Sequence, residues 1–118
     1  MTTIVIFKSK DSYKGFTCMG HAGFGQSGGD IVCAAISILV INTLNSIEEL
    51  AKEKIITESD ERDGCIECHF PDEINEKTKL LMDSMVMGLK GIEQNYGKKE
   101  RTLFSKEKRY FELIIKEV

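Results

Sequence analysis

The chain has 118 residues, 42% of them apolar and 30% charged, with a formal net charge of −3. That is enough chain for one compact domain with its own core, and residues 1–118 read as a single domain without linker or repeat. Acidic and basic residues are mixed throughout, which argues against the basic surface that sequence-independent nucleic-acid binding requires and leaves room for a basic protein partner.

Thr3 to Phe7 is β-branched and aromatic and predicts a strand. Asp11-Ser12 is turn chemistry, and Lys14 to Met19 predicts a second strand, so the first two form a hairpin. Gly20 to Gly29 is loop. Asp30 is a suitable N-cap for an apolar helix that begins at Ile31 and fades near Lys54. Its first half is apolar almost all round, which predicts deep burial of that end. Ile55 to Ser59 and Cys65 to Phe70 predict two more strands joined through Asp60 to Gly64. Pro71-Asp72 predicts the start of a second helix, with Ile74, Leu81, Met85, Leu89, Ile92 and Tyr96 on one stripe and Gly97 as its stop. Gly88 and Gly91 interrupt that helix at roughly 1 kcal/mol each relative to Ala, which predicts either a close helix contact that offsets the cost or an early end to the helix. Arg109 to Val118 predicts a last strand.

The order β-β-α-β-β-α-β predicts an α+β fold: a two-layer sandwich with two helices packed on one face of a mostly antiparallel sheet. The N-terminus lacks the charged start, apolar core and cleavage site of a secretory signal. The apolar run from Ile31 to Ile41 is short for a bilayer and contains Ser37. The expected location is therefore the cytoplasm, with no membrane partner. There the four cysteines stay reduced.

Chemistry concentrates between His21 and Cys33. The intervening loop carries Gly23, Gly25, Gly28 and Gly29, with Gly20 just ahead of it. Glycines allow positive φ and close approach of backbone to a ligand, so the loop can fold back and bring a general base to a nucleophile. A free thiol has a pKa near 8.5, so only about 3% is thiolate at neutral pH. Placement in the first turn of a helix, near unpaired N–H groups and the positive end of the dipole, raises that fraction. A nearby His21 adds an imidazolium–thiolate pair. The N–H of Cys33 and of a neighbour would form an oxyanion site. Asp30 either orients His21 or only caps the helix. Ser37 lies one turn past Cys33 on the same face, where it bonds the thiolate, a substrate group or the preceding turn's carbonyl.

Plainer readings exist. Cys33 can be a small buried residue and His21 a solvated one. The glycine loop can cradle a phosphate, but it lacks the Gly-Lys-Ser/Thr ending of a P-loop. Cys18-x-x-His21 and Cys65-x-x-Cys68-His69 have zinc-like spacings. Both fall on apparent strands, where residues three apart point to opposite faces. Cys18, Cys65 and Cys68 therefore read as inert strand residues, and Met82, Met85 and Met87 as core or interface.

Gly20-His21-Ala22, then Gly29-Asp30-Ile31-Val32-Cys33-Ala34 with Ser37 following, closely resembles the ribosomal-processing cysteine proteases of Firmicutes and related bacteria. The resemblance is strongest over Met19 to Leu44 and colinear through the second helix. It implies Cys33 as nucleophile and His21 as its base, with Asp30 and Ser37 at supporting positions and Gly20, Gly23, Gly25, Gly28 and Gly29 in a substrate loop. It further implies removal of a short N-terminal extension from large-subunit ribosomal protein twenty-seven after an apolar, phenylalanine-ending motif, a homodimer, and no metal or other cofactor. The competing class is a non-enzymatic, ribosome-assembly or translation-associated module whose loop only grips a peptide; a zinc-stabilised domain ranks third.

Overall fold

The computed structural model describes residues 2–20, 29–60, 64–96 and 111–118. Its elements are β1 (Thr2–Ser9), β2 (Ser12–Met19), α1 (Gly29–Glu49), β3 (Ile56–Asp60), β4 (Cys65–His69), α2 (Glu76–Tyr96) and β5 (Phe111–Glu117). The strands form one sheet in the order β3-β4-β2-β1-β5. All neighbours are antiparallel except β1 and β5, which run parallel. The α+β sandwich expected from the element order is the observed architecture.

Alternation along β1 and β2 builds the core. Ile4 pairs with Cys18 and Ile6 with Phe16, and all four are buried toward the helices. Val32, Ile36, Val40 and Ile47 of α1 and Met82, Met85 and Leu89 of α2 close the same cluster from above. A β-bulge beyond Phe7 shifts the pairing so that Lys8 stands opposite Tyr13. An extra residue reverses which side of the sheet a strand presents. Tyr13 thereby joins Phe16 on the helix side, where its hydroxyl donates to Asp83 of α2 and Lys8 Nζ lies 5.1 Å from its ring centroid. Burial and the Asp83 carboxylate both raise the Tyr13 pKa. The bulge has a glycine requirement: a Cβ on Gly15 would stand 2.2 Å from the Cys68 carbonyl oxygen.

Several expectations need correction. α2 starts at Glu76, not at Pro71-Asp72. Asn75 is its cap, accepting from the Thr78 N–H at 2.8 Å while its own amide donates to the Ala51 carbonyl at 3.0 Å. One side chain thus starts the helix and ties it to the segment after α1. The first half of α1 is not buried all round: Ile31, Ala34, Ile38 and Ile41 are exposed, Ile38 to 71%. A helix lying on a sheet has only one covered side, however apolar the other is. The apolar stretch is also longer than Ile31 to Ile41. Over Ile31–Glu49 the mean hydropathy is 1.8, in the range of a membrane span by length and composition. Its inner stripe nevertheless packs into the common core. Met82 and Met85 are core, whereas Met87 is exposed. Gly97 lies outside the described residues.

Candidate active site

The N-terminal half of α1 and the adjoining ends of the sheet strands enclose a cleft of about 390 Å³. α1 lines it with Cys33, Ile36, Ser37, Val40 and Ile41, positions spaced so that they share one stripe of the helix. The sheet side contributes Thr2 from β1, Cys18 from β2, Ser59 and Asp60 from β3, and Cys65 and Ile66 from β4. Hydrophobic side chains dominate the walls, with a few polar groups among them, the composition of a peptide or small-ligand pocket.

Cys33 is half-buried and packs against the core cluster while lining the cleft, so its sulfur is neither sealed inside nor fully solvated. Ser37 is exposed and lines the cleft one turn further on. Gly20 lines the same cleft with φ 87, a left-handed conformation that favours glycine. His21, Gly23, Gly25 and Gly28 lie outside the described residues.

α1 begins at Gly29, one residue earlier than the N-cap expected at Asp30, so Gly29 and Asp30 both belong to its first turn. The earlier start alters the oxyanion reading. The first four N–H groups of a helix lack intrahelical partners, and Cys33 lies four residues beyond Gly29. Its N–H is therefore committed to the helix ladder. The donors that the helix ladder leaves out belong to the turn ahead of it, with Gly29, Asp30 and Ile31.

The remaining thiols differ by environment. Burial pushes the Cys18 pKa up to about 11, with Cys65 and Cys33 nearby adding to the shift. Burial alone pushes Cys68 up to about 12. Both stay protonated near neutral pH, as inert strand thiols should. Cys65 is half-buried and lines the cleft, a position sequence reasoning did not assign to it. Cys65 and Cys68 fall on opposite faces of β4 by strand alternation. Among the described residues no group of three or more His, Cys, Asp or Glu side chains is placed to hold a metal. Thr2, Ser59 and Asp60 were also missed. They carry no local signal, because strand pairing alone brings them to the cleft.

A family model described as cysteine protease Prp matches residues 1–101. The ribosomal processing cysteine protease Prp of Bacillus subtilis is 32% identical over 85 residues, covering 69% of this chain and 76% of the relative. The protein of that name in Staphylococcus aureus is 32% identical over 82 residues, covering 70% of this chain and 77% of its own. Among solved structures, the S. aureus ribosomal processing protease Prp in complex with a substrate peptide superposes with a TM-score of 0.82 at 25% identity, over 98% of this chain and all 100% of that one. A Streptococcus mutans protein superposes at 0.81 with 27% identity, over 100% of this chain and 96% of its own.

Proposed function

Because the chain belongs to the cysteine protease Prp family, we propose that it is the endopeptidase that removes the N-terminal extension of large-subunit ribosomal protein twenty-seven during ribosome assembly. The observation that carries this reading is the position of Cys33: half-buried, near the start of α1, on the wall of a largely apolar cleft. The S. aureus relative has been crystallised with a substrate peptide and with a covalently linked product peptide, which supports a peptide in the equivalent place here.

In this reading Cys33 attacks the scissile carbonyl as a thiolate. His21 holds the thiol proton as imidazolium and then donates it to the leaving amine. Unpaired N–H groups of the first turn of α1 hold the oxyanion. Water then attacks the thioester, releases the acyl product and regenerates the thiol. Asp30 and Ser37 support the pair. The apolar cleft walls suit an apolar residue before the scissile bond, and the net charge of −3 suits a basic substrate. No cofactor enters these steps. The enzyme acts in the cytoplasm as a homodimer, and the exposed Ile31 and Ile38 of α1 offer apolar surface for self-association.

The test is incubation with the organism's own ribosomal protein carrying its extension, read by mass spectrometry. A single cut after the apolar, phenylalanine-ending motif is expected. An uncleaved substrate, together with a thiol-reactive peptide probe that fails to label Cys33, would leave the peptide-binding module as the function.

A further inference from the structure

Thr2 stands at the sheet end of the Cys33 cleft. It is 3% exposed, and its hydroxyl oxygen is fully buried with no hydrogen-bond partner among the described residues. A buried hydroxyl left unpaired costs about 1–3 kcal/mol, and such groups are rare enough in folded proteins that each requires a cause. Strand alternation turns Thr2 to the helix side, with Ile4 and Ile6. There it lines the cleft together with Cys18, Cys33 and Ser37. Thr78 also has a buried unpaired hydroxyl, but it belongs to α2 and does not line this cleft.

We infer that Thr2 is a substrate-binding residue of the protease cleft, its buried hydroxyl rotating about χ1 to pair with a polar group of the bound peptide. This rests on the reading of Cys33 as the nucleophile. Much of the cleft wall is apolar: Cys18, Ile36, Val40 and Ile66 offer a bound peptide contact but little hydrogen bonding, so the polar groups of Thr2, Ser37, Ser59 and Asp60 carry it. A polar peptide atom that enters there loses its water and needs a partner. The Thr2 hydroxyl can donate or accept, so it serves either a main-chain amide or the polar end of an amphipathic side chain. In either case the cost carried by the empty cleft is relieved on binding, which converts an unpaired group into selectivity for peptide.

The experiment compares wild type, Thr2→Val and Thr2→Ser on two fluorogenic peptides that differ only in phenylalanine or tyrosine before the scissile bond. Thr2→Val keeps the shape and removes the hydroxyl. It is expected to raise KM roughly three- to tenfold, one hydrogen bond's worth, while the thermal midpoint stays level or rises. Thr2→Ser is expected to restore KM. An equal loss on both peptides identifies a main-chain partner. A wild-type preference for tyrosine that disappears in Thr2→Val identifies the side chain. A Thr2→Val enzyme with wild-type KM on both peptides overturns the inference while leaving Cys33 in place. A wild type that cleaves neither peptide and whose Cys33 resists the thiol probe instead overturns the protease reading on which it rests.

Discussion

Gly88 of α2 lies directly against Leu39 of α1: a Cβ built on the glycine would stand 2.8 Å from Leu39 Cδ2. The missing side chain lets the two helices approach. Gly91, one turn on, faces open space, with nothing within 4 Å of the same construction. The two glycines interrupt the same helix at similar intrinsic cost, yet only one has a packing reason. Gly91→Ala is therefore expected to stabilise the protein by about 0.5–1 kcal/mol. Gly88→Ala gains the same propensity but displaces Leu39, so its thermal midpoint should fall below that of Gly91→Ala. Equal midpoints would remove the role assigned to the Gly88 contact.

Gly15→Ala should be far more damaging. Its φ is 156, and the added carbon would meet the Cys68 carbonyl at 2.2 Å, a backbone atom that cannot rotate away. A loss of about 2–4 kcal/mol is expected, read from urea midpoints at unchanged slope.

Glu58 of β3 pairs directly with Glu67 of β4, and both are exposed. Like charges opposite one another across strands are destabilising. Glu58→Lys replaces repulsion with attraction and should stabilise by about 0.2–1 kcal/mol at low salt. The gain should shrink as ionic strength rises.

The buried thiols make stability fall with alkalinity. Cys18 is pushed up to about 11 and Cys68 to about 12, against about 8.5 in the unfolded chain. Between those limits the folded state binds more protons, so stability is complete below about pH 8.5 and declines as pH rises through the folded values. Cys68→Ala should flatten that decline between about pH 8.5 and pH 10. The same shifts predict that a small alkylating reagent at pH 8 modifies Cys33 before Cys18 or Cys68, and that all react once the chain is unfolded.

Cys33→Ala should abolish peptide cleavage and leave the unfolding free energy within about 1 kcal/mol of wild type, since the residue is only half-buried. His21→Ala should lose about 100-fold or more in kcat, the usual worth of a positioned base. A loss below threefold would take His21 out of the proposed mechanism.

Local pattern carried much of this protein. Alternation in β1, the caps and breakers between elements, and the three-and-four spacing in α2 report which residues avoid water and with what period. Those quantities are written in consecutive residues. They were enough for the element order, the α+β class and the location of Cys33 near a helix start. Where local signals competed, the wrong one was read: Pro71 looked like a helix start, whereas Asn75 supplies the capping oxygen.

Other features depend on partners distant in sequence. Hydrophobicity made α1 apolar around its axis, but a helix on a sheet buries one stripe, so Ile31 and Ile38 face outward. The parallel pairing of β5 with β1, the bulge that carries Tyr13 to the helix side, and the meeting of Thr2, Cys18 and Cys65 around Cys33 follow from strand order and register. Period and composition say that a residue will be covered; only the long-range pairing of backbones says by what. That is why the position of Cys33 was legible in the chain and the walls of its cleft were not.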